Sequence, residues 1–139
     1  MEITANALQT VNENQNVLFN DTVTCGNCSI THRDGSGLVT LRGITNQCRA
    51  RFKVSFGGNI AIPTGGTVEA ISLAISLDGE PIATATMIVT PAAVEEFWNV
   101  FSAIFIDVPK GCCYSISVRN ISTQAIEVQN ANLIVERVA

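Results

Sequence analysis

Apolar and polar residues alternate along several short stretches of this sequence, and this period of two constrains its fold more than any other feature. The segments 51–56, 71–77 and 114–118 each carry an apolar residue at every second position, with Ser, Ala, Lys or Arg between them. Successive side chains of a β-strand point to opposite faces of a sheet, so the pattern predicts strands with one buried face. We expect the core to include seven apolar side chains: Phe52, Val54, Phe56, Ile116, Val118, Leu133 and Val135.

Turn-forming residues separate the strands at short intervals. Asp78-Gly79 predicts a tight hairpin between 71–77 and 81–90, and 109–111 (Pro-Lys-Gly) predicts another turn. Eight to ten short strands with such spacing indicate an all-β sandwich or barrel. The candidate helical turn is 91–96, where Pro suits a first helical position. Further strands are expected at 16–24, 29–32, 38–41, 98–108 and 125–138.

Composition excludes several classes of protein. Among the 139 residues, 47% are hydrophobic and 14% are charged, which excludes a disordered chain. The net charge of −4 argues against a nucleic-acid partner, since phosphate binding needs clustered cations. No run approaches the roughly 18 apolar residues of a membrane span, so we expect no membrane insertion. The start of the chain lacks the basic and apolar regions of a signal peptide.

The cysteines are the unusual part of the composition. There are five, and an odd number cannot all pair within one chain, so at least one is free, intermolecular or metal-bound. The C-x-x-C spacing of Cys25 and Cys28 suits a redox motif when it opens a helix, but the residues after it, 29–32, read as a strand. All five are candidates for disulfides: Cys25, Cys28, Cys48, Cys112 and Cys113.

A metal site is the alternative use of the same thiols. Cys25 and Cys28 could share a zinc ion with Cys48 and His32, because cysteine and histidine are the usual zinc ligands. We expect Cys48 to approach the Cys25/Cys28 turn, giving either one disulfide with a spare thiol or a shared metal, and we favour the disulfide. Strand alternation predicts that Cys112 faces inward and that its neighbour faces outward.

Three segments carry a resemblance to a known family. The segments 52–56, 71–82 and 132–139 resemble the C-terminal domains of collagen-like glycoproteins on bacterial spores, which are similar to the tumour necrosis factor and complement globular-head superfamily. The resemblance covers residues 16–139 and implies a two-sheet antiparallel jelly-roll domain that forms a tight homotrimer. The 139 residues contain no Gly-X-Y run, and residues 1–15, which are largely polar, are expected to form an N-terminal arm.

Self-association is also indicated by the residues themselves. The strand 98–108 is apolar on both faces, and the second faces of 69–77 and 81–90 carry Ala, Ser and Thr rather than charges. A monomeric antiparallel sandwich usually has one polar, solvated face on each strand. Large apolar patches mark association sites, so these strands predict an oligomer.

No catalytic arrangement is evident, and we expect neither an enzyme nor a cofactor. The sequence has no nucleophile motif for which His32 could act as the base. Glu95 and Glu96 are neighbours in the sequence, so their side chains point in different directions. The leading hypothesis is a structural trimerisation and display module of a bacterial spore, cell-surface or virion assembly, with itself and other assembly subunits as partners. The alternative is an adhesin or lectin-like head that binds glycans, with Trp98 or Tyr114 as a sugar platform.

Overall fold

The computed structural model describes all residues, 1–139, and consists of eleven strands without a helix. The chain therefore forms no helix of the length and apolarity that crossing a membrane requires. The strands are β1 (Glu2–Ala5), β2 (Gln9–Val11), β3 (Asp21–Thr24), β4 (Ile30–His32), β5 (Val39–Arg42), β6 (Arg49–Ala61), β7 (Ile71–Leu77), β8 (Glu80–Val89), β9 (Trp98–Pro109), β10 (Cys113–Asn120) and β11 (Ile126–Arg137).

The strands form two antiparallel sheets that pack face to face. Sheet A has the order β3-β1-β11-β6-β9, with the short β2 also paired to β11, and sheet B has the order β4-β5-β10-β7-β8. Consecutive parts of the chain cross repeatedly between the sheets, as in a jelly roll. The predicted all-β, two-sheet antiparallel fold is confirmed.

The core lies between the sheets and is built from the inward side chains of both. All seven predicted core residues are buried: Phe52, Val54, Phe56, Ile116, Val118, Leu133 and Val135. The rings of Phe19 and Phe56 meet edge to face with their centroids 6.4 Å apart, a favoured geometry for aromatic pairs. Period-two alternation thus predicted the inward faces of β6, β10 and β11 correctly.

The first fifteen residues, expected to form an arm, contribute strands to sheet A. Glu2 to Ala5 pair with Ile134 to Ala131 of β11, and Gln9 to Val11 extend along the same strand. Ile3, Ala5 and Val11 are buried in the core. These strands of three and four residues are too short for their alternation to stand out among the polar residues around them.

The β7–β8 hairpin has the predicted turn and an irregular partner strand. Asp78 and Gly79 have φ values of 49° and 86°, as a primed turn requires. Beyond the turn, Ser76 pairs with Pro81, whereas Ala74 pairs with Thr86, so a single residue of β7 lies opposite four of β8. This is a large β-bulge, and the regular alternation predicted for 81–90 is interrupted there.

The helical turn predicted at 91–96 is wrong. The segment forms bends and a turn instead, with Glu95 in the left-handed region at φ 59°. The backbone N–H of Glu95 donates to the carbonyl of Ile62 at 2.7 Å, a contact between distant loops that a helix would not make.

Strand direction defines two ends of the sandwich. One end, which we call the terminal end, carries the N- and C-termini together with the loops 25–29, 43–48 and 110–112. The other end, which we call the opposite end, carries the loops 62–70 and 90–97 and further connections.

Candidate functional site

The outward face of β9 is apolar and exposed. Phe101 and Phe105 point away from the core and are 67% and 64% exposed, while Val100 and Ile106 on the other face are buried. The strand is therefore apolar on both faces, as predicted from its sequence.

The neighbouring strands add apolar and polar residues to this face, and Lys53 of β6 lies opposite Phe105. Phe101 lies opposite Gly57 of β6, so one flank of its ring adjoins bare backbone. Ala103 lies opposite Ser55, which in turn lies opposite the exposed Ile134 of β11. We call the outward side chains of Phe101, Ala103, Phe105 and Ile134 the aromatic face.

Charged residues border the aromatic face on the side of the terminal end. Arg51 Nε donates to Asp107 Oδ1 at 2.8 Å, and Arg49 Nε lies 3.3 Å from the other carboxylate oxygen. The hydrogen bond from Arg51 lowers the pKa of Asp107, and the same bond raises the pKa of Arg51. Because all three are solvent-exposed, the cluster adds little to stability. It gives the aromatic face a polar rim, as protein interfaces usually have.

The argument for association does not extend to β7. Its second-face residues Ala74 and Ser76 are fully buried within the single chain. Arg119 of the neighbouring β10 reaches along this face, and its Nη1 donates to the carbonyl of Gly79 at 2.6 Å. Of the strands considered for association, β9 and, at Ile88, β8 keep large exposed apolar side chains.

All five cysteines lie at the terminal end and are exposed free thiols. They occupy three separate connections: the β3–β4 loop, the β5–β6 loop and the β9–β10 turn with the first residue of β10. Cys112 is exposed rather than inward-facing, because it belongs to the turn and β10 begins at Cys113. The expected disulfide among Cys25, Cys28 and Cys48 is not formed in the chain.

The zinc set is not assembled either. The structure has no group of three or more His, Cys, Asp or Glu side chains that could hold a metal ion. His32, the fourth ligand considered with Cys25, Cys28 and Cys48, has a buried side chain at the far end of β4. Its Nε2 lies 2.9 Å from the carbonyl of Ser36, so the ring is held by the β4–β5 turn.

An exposed tryptophan lies at the opposite end. Trp98 is 48% exposed, and its Nε1 donates to Glu96 Oε1 at 2.9 Å, which fixes the orientation of the ring. Tyr114, the other aromatic residue considered for a sugar platform, is half-buried and packs against the core. Trp98 alone therefore offers an aromatic platform of the kind predicted.

A pair of carboxyl groups also lies at the opposite end, and sequence reasoning missed it. Glu95 Oε1 accepts hydrogen bonds from the N–H and Oγ1 of Thr64 at 2.9 and 3.0 Å. Glu127 of β11 lies beside Glu95, and burial together with that carboxylate raises the pKa of Glu127. The hydrogen bond with Glu127 in turn lowers the pKa of Glu95. A proton on Glu127 that is donated to Glu95 accounts for the directions of both pKa shifts.

No protein-family model matches the sequence. No curated protein matches it either. The comparison with solved structures is informative: the globular domain of the zebrafish Complement 1qA protein superposes with a TM-score of 0.64, covering 96% of this chain and 93% of that one at 12% identity. The fold is a complement-head, TNF-like jelly roll. This agrees with the fold that the resemblance implied from the sequence.

Two sugar-binding modules resemble the chain more weakly. The C-terminal domain of EclA, a sugar-binding protein, has a TM-score of 0.38 at 14% identity and covers 84% of this chain and 90% of its own. A CBM35 module from Cellvibrio japonicus has a TM-score of 0.40 at 8% identity, with 100% of this chain and 98% of that chain covered. Both scores are below the level of a shared fold, and neither bears on function.

Proposed function

We propose that this chain is a non-enzymatic structural module that forms a homotrimer and acts as a display subunit of a bacterial spore, cell-surface or virion assembly. The observation that carries the proposal is the aromatic face, with Phe101 and Phe105 each about two-thirds exposed on one strand. The surface setting and the number three come from the sequence resemblance, and the complement-head fold is consistent with both.

The energetics favour covering this face with a second copy. Fully burying a Phe side chain contributes roughly 1.5–3 kcal/mol. Two such rings per chain lie on one strand with Ala103 between them, Ile134 lies across Ser55, and Lys53 lies opposite Phe105. The rim of Arg49, Arg51 and Asp107 remains solvent-accessible at the border of this interface, as in other interfaces between copies.

The single histidine and the pair of carboxyl groups at the opposite end are occupied structurally. His32, the single histidine, is held against the Ser36 carbonyl. Glu95 and Glu127 are engaged with each other and with Thr64. The proposal therefore assigns no catalytic residue.

The test is the solution mass under reducing conditions. We expect light scattering to give about three times the chain mass of 14.8 kDa, and the double substitution Phe101→Ser with Phe105→Ser to give a single chain. Ile88→Ser is the matched control, since Ile88 is 65% exposed but lies on sheet B. A wild-type mass near one chain at micromolar concentration would refute the proposal. Dissociation by Ile88→Ser would show that the interface is elsewhere.

Glycan binding at the opposite end is the second candidate function. It is favoured by the exposed indole of Trp98, which is held in place by Glu96, because sugars commonly stack on such rings. The chain has a single tryptophan, so quenching of its fluorescence on a glycan panel reports on this site alone. Trp98→Ala should abolish binding on a glycan array, whereas Phe97→Ala, the exposed neighbour, should retain it. The absence of any quenching and of any array signal would exclude this function.

A further inference from the structure

The cysteines are segregated to one end of the molecule although they are far apart in the sequence. Cys25 and Cys28 follow β3, Cys48 precedes β6, and Cys112 and Cys113 join β9 to β10. The antiparallel register brings these three connections to the terminal end. The remaining surface, including the aromatic face and the opposite end, carries no cysteine.

Backbone hydrogen bonds hold the three connections in place. The N–H of Gly43 donates to the carbonyl of Cys112 at 2.9 Å, and the N–H of Lys110 donates to the carbonyl of Cys48 at 3.0 Å. The β3–β4 loop is attached as well, because the N–H of Arg42 donates to the carbonyl of Ser29 at 2.8 Å. The thiols thus project from a fixed framework, and all five are exposed without a bond to one another.

Pairing within one chain is limited by number and by geometry. An odd set leaves at least one thiol over, whatever the other pairs. Cys112 and Cys113 are adjacent, and the roughly 3.8 Å between consecutive Cα atoms is shorter than the usual 4.4–6.8 Å of a disulfide. These two thiols therefore need partners elsewhere.

We infer that the terminal end is a covalent linkage surface at which disulfides join this chain to a second copy, terminal end against terminal end. A second copy accounts for the odd number of cysteines, because the unpaired thiol of one chain can form a disulfide with the equivalent thiol of the other. Exposed Ile44 and Val138 lie at the same end and give the two copies an apolar contact. Facing ends give a closed, two-fold arrangement, the commonest symmetry of protein oligomers.

The reaction is thiol–disulfide exchange with a small-molecule disulfide as the oxidant. A cysteine thiolate of one chain attacks oxidised glutathione, which forms a mixed disulfide and releases one glutathione. A thiolate of the second copy then attacks the protein sulfur of the mixed disulfide, and the second glutathione leaves. Two protein thiols are oxidised to one disulfide, and their two protons end on the two glutathione thiols.

The test is incubation of the full-length reduced chain with a mixture of oxidised and reduced glutathione. We expect a covalent dimer on non-reducing gels and, by light scattering of the native sample, twice the mass of the reduced form. Mixing isotope-labelled and unlabelled chains before oxidation should give cross-linked peptides that carry one label each, joining residues 25–28, 48 or 112–113. Oxidised chains that show only intramolecular disulfides, or five free thiols, would overturn the inference.

Matched variants separate linkage from folding and from the aromatic face. Replacing all five cysteines by Ser should remove the dimer and leave the reduced mass unchanged, and alkylated wild-type protein provides the same readout without a substitution. The double variant Phe101→Ser with Phe105→Ser should still form the disulfide-linked pair. A covalent dimer whose native mass equals that of the reduced form would place the disulfides within the non-covalent oligomer and refute the end-to-end arrangement.

Discussion

Gly43 touches Pro109 so closely that a Cβ atom at position 43 would overlap the proline carbonyl oxygen. The same glycine accepts a hydrogen bond from the N–H of Gly111 at 3.0 Å, so the β5–β6 loop and the β9–β10 turn are joined backbone to backbone. These two connections, together with the first residue of β10, carry three of the five cysteines. The placement of the thiols thus depends on a residue without a side chain.

Gly43→Ala should therefore destabilise the chain. Forcing an extra methyl into a packed site costs roughly 1–3 kcal/mol, and the obstructing atom here belongs to backbone that cannot turn away. Urea denaturation of the reduced protein measures the loss. Gly57→Ala is the control, because the nearest atom to its new Cβ would be 3.9 Å away. Equal stability of the two variants would mean that the loops separate without cost.

Phe56→Ala should lower the free energy of unfolding by about 3–5 kcal/mol, as other large-to-small core substitutions do. Its ring is fully buried and packs edge to face on Phe19. Phe105→Ala removes the same atoms from an exposed position and should cost far less in a single chain. Chemical denaturation at a concentration where both variants share one oligomeric state gives the comparison. A loss below about 1 kcal/mol at Phe56 would contradict the core described here.

Asn120→Asp should destabilise the chain by several kcal/mol, because it removes the hydrogen bonds that the Asn120 amide donates to three backbone carbonyls. Asn120 is fully buried, and its Nδ2 donates to the carbonyls of Val11, Asn12 and Gln124 at 3.0, 3.3 and 3.0 Å. A carboxylate has no proton for these acceptors, and a buried polar group left without its partner costs about 1–3 kcal/mol, more when it is charged. Thermal unfolding measures the total. Amide exchange should increase at residues 9–12.

The exposed Asn99 is the control for this substitution. Asn99→Asp should change the unfolding temperature little and leave exchange at residues 9–12 unaltered. If residues 9–12 remain protected from amide exchange in Asn120→Asp, then β2 is held in place without the hydrogen bonds of the Asn120 side chain.

Glu127→Gln should raise stability most at pH values above the raised folded-state pKa of Glu127. The folded-state pKa of Glu127 is raised, so its stabilising proton is present in acid and is lost as pH rises through that pKa. The folded-state pKa of Glu95 is lowered, so its contribution is present at higher pH and is lost as pH falls. As pH rises through the folded-state pKa of Glu127, the wild type gains a second negative charge beside Glu95, whereas the Gln amide still donates to Glu95.

Unfolding temperatures measured between about pH 4 and pH 8 test this, with the two proteins converging in acid where Glu127 holds its proton. Glu136→Gln on the same strand is exposed and serves as the control. A constant difference between wild type and Glu127→Gln across the range would show that the two carboxyl groups do not share a proton.

Alternation predicted those parts of the fold in which strands are regular. The alternation of apolar and polar residues predicts the inward faces of β6, β10 and β11, and the Asp78-Gly79 pair predicts the hairpin turn that it forms. The exposed rings of Phe101 and Phe105 were likewise predicted as a second apolar face. Local sequence carries this information because neighbouring side chains on a strand have fixed directions.

Features that depend on distant contacts were not predictable in this way. Glu95 and Glu127 are 32 positions apart in the sequence, and only the fold of the loops brings their carboxyl groups together. Asn120 reads as a turn residue, yet its amide joins three segments inside the molecule. The inward placement expected for Cys112 was wrong because it assumed that the strand began one residue earlier than it does.

The bulge in β8 has a consequence for how copies of this chain can aggregate. β8 is the outermost strand of sheet B, and an unprotected outermost strand is a template on which foreign strands polymerise. Pro81 lacks an N–H, and the four residues opposite Ile75 break the regular spacing of donors and acceptors. An incoming strand finds no continuous ladder there. Strand addition is therefore disfavoured at this edge of sheet B.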